Sequence, residues 1–101
     1  MDSTFKQITW AEVPSYAQAG YQLIDVREPG ELTMLAKHPL AQNIPMAGLV
    51  FNPTDFFPDK ATKLMITCHS GGRSQQVCNV LTRNGYHNVV DVAGGMSSYQ
   101  G

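Results

Sequence analysis

The residues best suited to chemistry in this sequence form one segment, Cys68-His69-Ser70-Gly71-Gly72-Arg73-Ser74. The segment follows an apolar run and precedes an amphipathic one, which predicts a strand, a tight loop and the start of a helix. A helix N-terminus exposes unpaired backbone N–H groups and carries a partial positive charge. Gly71 and Gly72 allow the loop to turn several of these N–H groups inward. The sequence therefore predicts an anion-binding loop that begins with a cysteine.

Cys68 is the predicted nucleophile of this loop. The thiolate is the reactive form of cysteine, and inward N–H groups favour it over the thiol. Arg73, and His69 when protonated, would add positive charge nearby. The alternative is an inert core residue, because cysteine is among the residue types most often buried. The two glycines, the arginine and the amphipathic helix that follows favour the reactive cysteine.

Apolar runs alternate with helical patterns along the chain, which predicts an α/β fold with a mainly parallel sheet. Thr9 and Glu12 have the spacing of a capping box, so the first helix is expected to begin at Thr9 and to end at Gly20. Another helix follows Ser74 and ends at Gly85. The other predicted elements are strands at Tyr21–Val26, Gln42–Pro45, Lys63–Thr67 and Asn88–Val92, a turn at Glu28–Glu31, a helical piece at Leu32–Lys37, and a loop or short helix at Pro53–Asp59.

The composition indicates an ordinary globular chain and narrows the choice of partners. Apolar residues make up 43% and charged residues 15% of 101 residues, which predicts one domain, 1–101. The net charge of −1 gives no reason to expect nucleic acid or an anionic membrane as a partner. No secretory signal or membrane-spanning run is visible, so we expect a cytoplasmic protein.

The two cysteines are too few for a disulfide framework and favour free thiols in a reducing compartment. The alternative is a secreted protein with a Cys68–Cys78 bridge. Cys78 is expected to be a small buried residue, and its alternative role is to resolve Cys68 as a disulfide. The histidines lack metal-ligand spacing and no C-x-x-C is present, so we expect no metal.

The loop resembles the active-site motif C-x-x-G-x-R-S of rhodanese domains, and the resemblance extends over nearly the whole chain. The other matching segments, in the same order as in the family, are Leu23–Glu31 (L-I-D-V-R-x-x-x-E), Asn43–Pro45 (N-I-P), Leu81 to Val89 (L-x-x-x-G-[FY]-x-N-V) and Gly94–Met96 (G-G-[IM]). Two segments depart from the family. Residues 37–42 replace its usual G-H-I-P-G-A, and Tyr99 stands near the position of a family tryptophan.

The resemblance implies a three-layer α/β/α fold with a central, mainly parallel five-stranded sheet. It implies that Cys68 takes sulfane sulfur from a donor such as thiosulfate and passes it, as a persulfide, to cyanide or to a small-molecule or protein thiol. The N–H groups of residues 69–74 would hold the persulfide anion, and no cofactor is implied. Asp25 and Arg27 follow a predicted strand end and are expected at the pocket edge, where Arg27 would attract an anionic donor. The alternative is a structural ion pair with each other or with Arg73.

Two other functions compete with sulfur transfer. Cysteine phosphatases share the architecture but use a C-x5-R loop, whereas this chain has C-x4-R, which is one residue short for a tetrahedral phosphate. A binding or regulatory module of the rhodanese type is the stronger alternative, since a fold does not determine a function. Such modules often lack the cysteine, so the presence of Cys68 favours catalysis.

Overall fold

The computed structural model describes residues 5–99, in which five strands form one parallel sheet in the order β1-β5-β4-β2-β3. The strands are β1 (Lys6–Ile8), β2 (Gln22–Asp25), β3 (Gln42–Asn43), β4 (Leu64–Thr67) and β5 (Val89–Val92). β4 and β5 are buried at every position, as expected where a parallel sheet is covered on both faces.

Helices lie on both faces of this sheet. They are α1 (Val13–Gln18), α2 (Pro29–Met34), α3 (Met46–Phe51), α4 (Pro53–Phe56) and α5 (Gly72–Arg83), with 3₁₀ turns at Trp10–Glu12 and Gly95–Ser98. Alternate strand residues enter two separate apolar clusters: Leu64 and Ile66 pack with α3 and α5, and Met65 packs with α1. The predicted α/β fold with its central parallel sheet of five strands is therefore confirmed.

Two helices of the structure begin with a capping box. The Thr9 N–H donates to Glu12 Oε1 at 2.9 Å, so the predicted capping box is confirmed. The helical piece predicted at 32–37 was wrong, because α2 begins at Pro29 and ends at Met34. The Glu28 N–H donates to Glu31 Oε1 at 3.0 Å, and this second capping box makes the expected turn the first turn of the helix.

Three features of the structure were not predicted from the sequence. β1 is short, and its register against β5 (Gln7 opposite Asp91) comes from the sheet rather than from its own residues. α3 starts directly after Pro45, where only a strand end was expected. Met34, an apolar residue, is 86% exposed on the last turn of α2. Among the described helices, none has the length and apolar character needed to span a bilayer.

Candidate active site

The candidate site lies where the strand ends meet. Cys68 directly follows β4, Arg27 follows β2, Gly94 follows β5 and Trp10 follows β1. Because all paired strands are parallel, their carboxyl ends share one edge of the sheet, which is where α/β proteins bind ligands. Residues that are distant in sequence therefore surround one loop.

The loop directs two backbone N–H groups at the Cys68 sulfur. Gly71 N lies 3.1 Å and Ser74 N lies 3.4 Å from Sγ. Gly71 immediately precedes α5 and has φ +106°, in the left-handed region that a glycine adopts readily. Of the inward N–H groups expected from residues 69–74, those of Gly71 and Ser74 point at the sulfur, where they can stabilise negative charge.

A glycine-rich segment, residues 94–97, packs against this loop through backbone hydrogen bonds. The Met96 N–H donates to the Cys68 carbonyl and the Ser97 N–H donates to the His69 carbonyl, both at 2.7 Å. A Cβ atom added to Gly95 would lie 2.5 Å from the Cys68 carbonyl oxygen and 2.8 Å from that of His69. Only a residue without a side chain allows these backbones to approach so closely.

Arg73 of the loop pairs with Glu31 of α2. Its Nη1 and Nη2 atoms lie 2.6 and 2.8 Å from the two carboxylate oxygens, a bidentate arrangement. The hydrogen bonds from Arg73 and from the Glu28 backbone lower the pKa of Glu31 to about 2. The sequence placed Glu31 at the end of the Leu23–Glu31 motif but gave no signal that it pairs with Arg73.

Asp25 and Arg27 pair with each other and not with Arg73. Arg27 Nε and Nη2 donate to the Asp25 carboxylate at 3.0 and 2.7 Å, and Nη2 also donates to the Ala36 carbonyl at 3.0 Å. Both side chains are buried. The pair thus holds the segment after β2 in place, and it stabilises the loop between α2 and β3.

Asp91 is a site residue that sequence reasoning missed. It is fully buried on β5, where it accepts hydrogen bonds from Ser74 Oγ at 2.6 Å and from Gln7 Nε2 at 2.9 Å. Burial raises the pKa of its carboxyl, and these two hydrogen bonds lower it in part. The available signal was one acidic residue within the apolar run Val89–Val92.

An aromatic cluster of Trp10, His38 and Tyr99 adjoins the glycine-rich segment. Trp10 stacks on His38 with ring centroids 5.5 Å apart, and Tyr99 contacts both rings. Trp10 Nε1 donates to the Gly95 carbonyl at 2.9 Å. Burial lowers the pKa of His38. His38 is a half-buried loop residue within this cluster.

The remaining loop residues differ in accessibility. His69 and Ser70 are exposed, as expected of residues that line an entrance, whereas Cys68 is only 1% exposed. Cys68 and Cys78 are both free thiols. Within residues 5–99, no group of three His, Cys, Asp or Glu side chains is placed to bind a metal ion. The expectation that the protein needs no metal stays a prediction.

The structure combines a parallel five-stranded sheet with a cysteine at a strand end that receives two backbone N–H groups, an arrangement typical of rhodanese domains. The model of the rhodanese-like domain family matches residues 9–101, and the chain belongs to this family.

The chain is also similar to individual proteins of known sequence or structure. It is 31% identical to a sulfurtransferase from Allochromatium vinosum, covering 76% of this chain and 69% of that protein. It is 36% identical to the chloroplastic rhodanese-like/PpiC domain-containing protein 12 of Arabidopsis thaliana, covering 77% of this chain but about a quarter (26%) of that protein. A rhodanese-related protein from Thermoplasma volcanium superimposes with a TM-score of 0.78 at 30% identity, covering 93% and 89% of the two chains.

Proposed function

We propose that this protein is a sulfurtransferase that moves sulfane sulfur from a donor such as thiosulfate to cyanide or a thiol through a persulfide on Cys68. The observation that carries the proposal is the pair of N–H groups of Gly71 and Ser74 directed at Sγ. Hydrogen bonds to a charged acceptor are stronger than neutral ones, so these donors favour the thiolate.

The reaction divides into two displacements at sulfur. The Cys68 thiolate attacks the outer sulfur of thiosulfate, the S–S bond of the donor breaks, and sulfite leaves with the bonding pair. The persulfide then carries the negative charge on its terminal sulfur. An acceptor thiolate or cyanide attacks this sulfur, the Cys68 S–S bond breaks, and the Cys68 thiolate returns.

The arrangement around Arg73 supports sulfur transfer over phosphate chemistry. The loop is one residue shorter than the C-x5-R loop of cysteine phosphatases, and the Arg73 guanidinium makes a bidentate pair with Glu31. A small loop suits a single sulfur atom. We therefore expect no appreciable turnover of an aryl phosphate by the purified protein.

The test is intact-protein mass spectrometry after incubation with thiosulfate. The expected result is a mass gain of one sulfur atom on Cys68, which is lost on addition of cyanide and is absent from Cys68→Ala. Cys78→Ala is the matched control and should still gain the sulfur. Failure of the wild-type protein to take up sulfur from thiosulfate would contradict the proposal for this donor.

The burial of Cys68 favours one narrower form of this function. Because only 1% of the residue is exposed, we expect sulfur uptake from a dissolved donor to be slower than uptake from a partner that reaches Sγ. A protein partner that docks on the exposed His69 and Ser70 and opens the loop would overcome this restriction. Sulfur uptake from a protein persulfide, but not from thiosulfate, would identify a partner-specific sulfur carrier.

A further inference from the structure

Asp91 places a carboxyl group in an apolar layer, and within residues 5–99 no cation forms an ion pair with it. Val90 and Val92 face the cluster at α1, whereas Val89 belongs to the cluster at α5 and Asp91 contacts Ser74 of that helix. The hydrogen-bond donors to Asp91 are the neutral groups of Ser74 and Gln7. A buried carboxylate with only neutral donors is costly, and such a group readily binds a proton.

Ser74 connects this carboxyl group to the nucleophile. The Cys68 thiol donates to Ser74 Oγ at 3.6 Å, and Ser74 Oγ donates to Asp91 Oδ1 at 2.6 Å. A hydroxyl group has one hydrogen and can accept while it donates. Ser74 Oγ also lies 3.1 Å from the Gly71 carbonyl oxygen, but its contact with Asp91 is shorter by 0.5 Å and is made to a carboxylate. With the hydroxyl hydrogen on Asp91, the hydrogen bonds run from the thiol to the carboxylate. A thiolate at Cys68 would reverse that direction, because Ser74 must then donate to sulfur and accept from a protonated Asp91.

We propose that Asp91 accepts the proton of the Cys68 thiol through Ser74, so that Cys68 and Asp91 share one proton. The S–H bond breaks as an Oγ–H bond forms on Ser74, and the original Oγ–H bond breaks as an O–H bond forms on Asp91. The net charge of the buried layer is unchanged, and the thiolate is left facing the N–H groups of Gly71 and Ser74. Asp91 touches no substrate and is a positioning residue.

The elements packed against β5 offer no equivalent proton acceptor among the described residues. α5 contributes Cys78, whose pKa is raised by its burial, and Arg73, which is paired with Glu31. β1 contributes the neutral Gln7 and the exposed Lys6. β4 leads to Cys68 itself and to the exposed His69. Asp91 is therefore the described proton acceptor that hydrogen bonds connect to Cys68 through Ser74.

The test follows alkylation of Cys68 by iodoacetamide as a function of pH, with the modified peptide identified by mass spectrometry. Two coupled groups lose their protons in two macroscopic steps. We expect the wild-type alkylation rate to rise with pH in two steps separated by a plateau. At the plateau the pair holds one proton, and the molecules that react are those in which Asp91 holds it and Cys68 is a thiolate. Asp91→Asn cannot take the proton, and its profile should lose the plateau and show one step.

A second variant changes the plateau without removing the carboxyl group. Gln7→Ala removes a donor that favours ionised Asp91, so the carboxyl should bind the proton more tightly. We expect the plateau rate to rise about fivefold, the effect of losing one hydrogen bond from the exposed Gln7 side chain to a charged group. Gln22→Ala, at the exposed amino end of β2, is the matched control and should leave the profile unchanged.

The catalytic role of the shared proton rests on the proposed sulfur transfer. The outcomes of the test distinguish failure of one proposal from failure of the other. A single-step profile in the wild-type protein that Gln7→Ala does not change would overturn the shared proton, even if Asp91→Asn does not fold. Infrared spectra offer an independent readout, since a protonated-carboxyl band that Asp91→Asn abolishes is expected at the plateau pH. A two-step profile in a protein that takes up no sulfur would keep the shared proton and refute the transferase.

Discussion

Cys68 and Cys78 have similar exposure and different surroundings. Both are free thiols, both are almost fully buried, and both belong to the apolar cluster that faces α5. Sγ of Cys68 receives N–H groups from Gly71 and Ser74. Cys78 lies within α5, where N–H groups are used by the helix, and burial raises the pKa of its thiol.

The proposed nucleophile Cys68 and the proposed packing residue Cys78 are equally buried, so burial alone cannot distinguish their roles. The inert alternative considered for Cys68 predicted a buried sulfur, and a buried sulfur is what the structure contains. The two cysteines differ in whether backbone N–H groups point at the sulfur. At Cys68 this direction depends on the left-handed φ of Gly71 and on the close packing of Gly95 against the loop. The predictions that follow test this explanation, from the largest expected effect to the smallest.

Replacing each cysteine in turn tests the comparison most directly. Cys68→Ser should reduce sulfur transfer by at least about 10³-fold, because the hydroxyl is a far weaker nucleophile. Cys78→Ala should keep the activity within about twofold, since a buried residue outside the loop contributes packing only. The measurement is thiocyanate formation from thiosulfate and cyanide. A large loss of activity in Cys78→Ala would show that Cys78 takes part in the reaction.

Gly95→Ala tests whether the geometry of the N–H groups, rather than burial, activates Cys68. The added Cβ would press on the carbonyl oxygens of Cys68 and His69, so the loop must move while Cys68 stays buried. We expect activity to fall about 10²-fold, as for a displacement of about 1 Å at a reacting group.

Gly85→Ala is the matched control for Gly95→Ala. Gly85 also has a left-handed φ, of +92°, but an added Cβ would meet no atom within 4 Å. The control therefore carries similar backbone strain without pushing on the loop, and its folded fraction should be fully active. Equal losses of activity in both variants would contradict the proposed role of loop geometry.

The Arg73–Glu31 pair ties the Cys68 loop to α2 and makes its stability depend on pH. The pKa of Glu31 is lowered from 4.5 to about 2, so the stabilisation is complete above the ordinary pKa and is lost as pH falls toward about 2. Glu31→Gln should flatten this acid slope and cost about 1 kcal/mol at neutral pH, after allowance for the partial exposure of the pair. Urea unfolding of both proteins across this pH range provides the measurement.

The smallest expected effect concerns the packing of Cys78. Cys78→Ala should lower the free energy of unfolding by about 0.5 to 1 kcal/mol, because it leaves a small cavity in the layer between α5 and the sheet. Cys78→Ser should be less stable than Cys78→Ala, since it buries a hydroxyl group there. Urea unfolding at neutral pH measures both. Equal stability of Cys78→Ser and the wild-type protein would show that this position is not an apolar one.

The sequence by itself predicted the class of fold and the position of the nucleophile. Alternating apolar runs predicted the parallel sheet, because strands buried on both faces need continuous apolar residues. The strand, glycines and amphipathic helix around Cys68 predicted the loop and its inward N–H groups. These features are local, since each depends on residues that are neighbours in the chain.

The tertiary structure decided which distant residues meet at this loop. No local pattern relates Glu31 to Arg73, or Gly95 to the Cys68 carbonyl, because these contacts join strand ends that only the sheet brings together. The short strand β1 is another example, because its pairing with β5 brings Gln7 next to Asp91. Asp91 itself looked like one polar residue in an apolar strand, and only packing against α5 placed it beside Ser74 and within reach of the nucleophile.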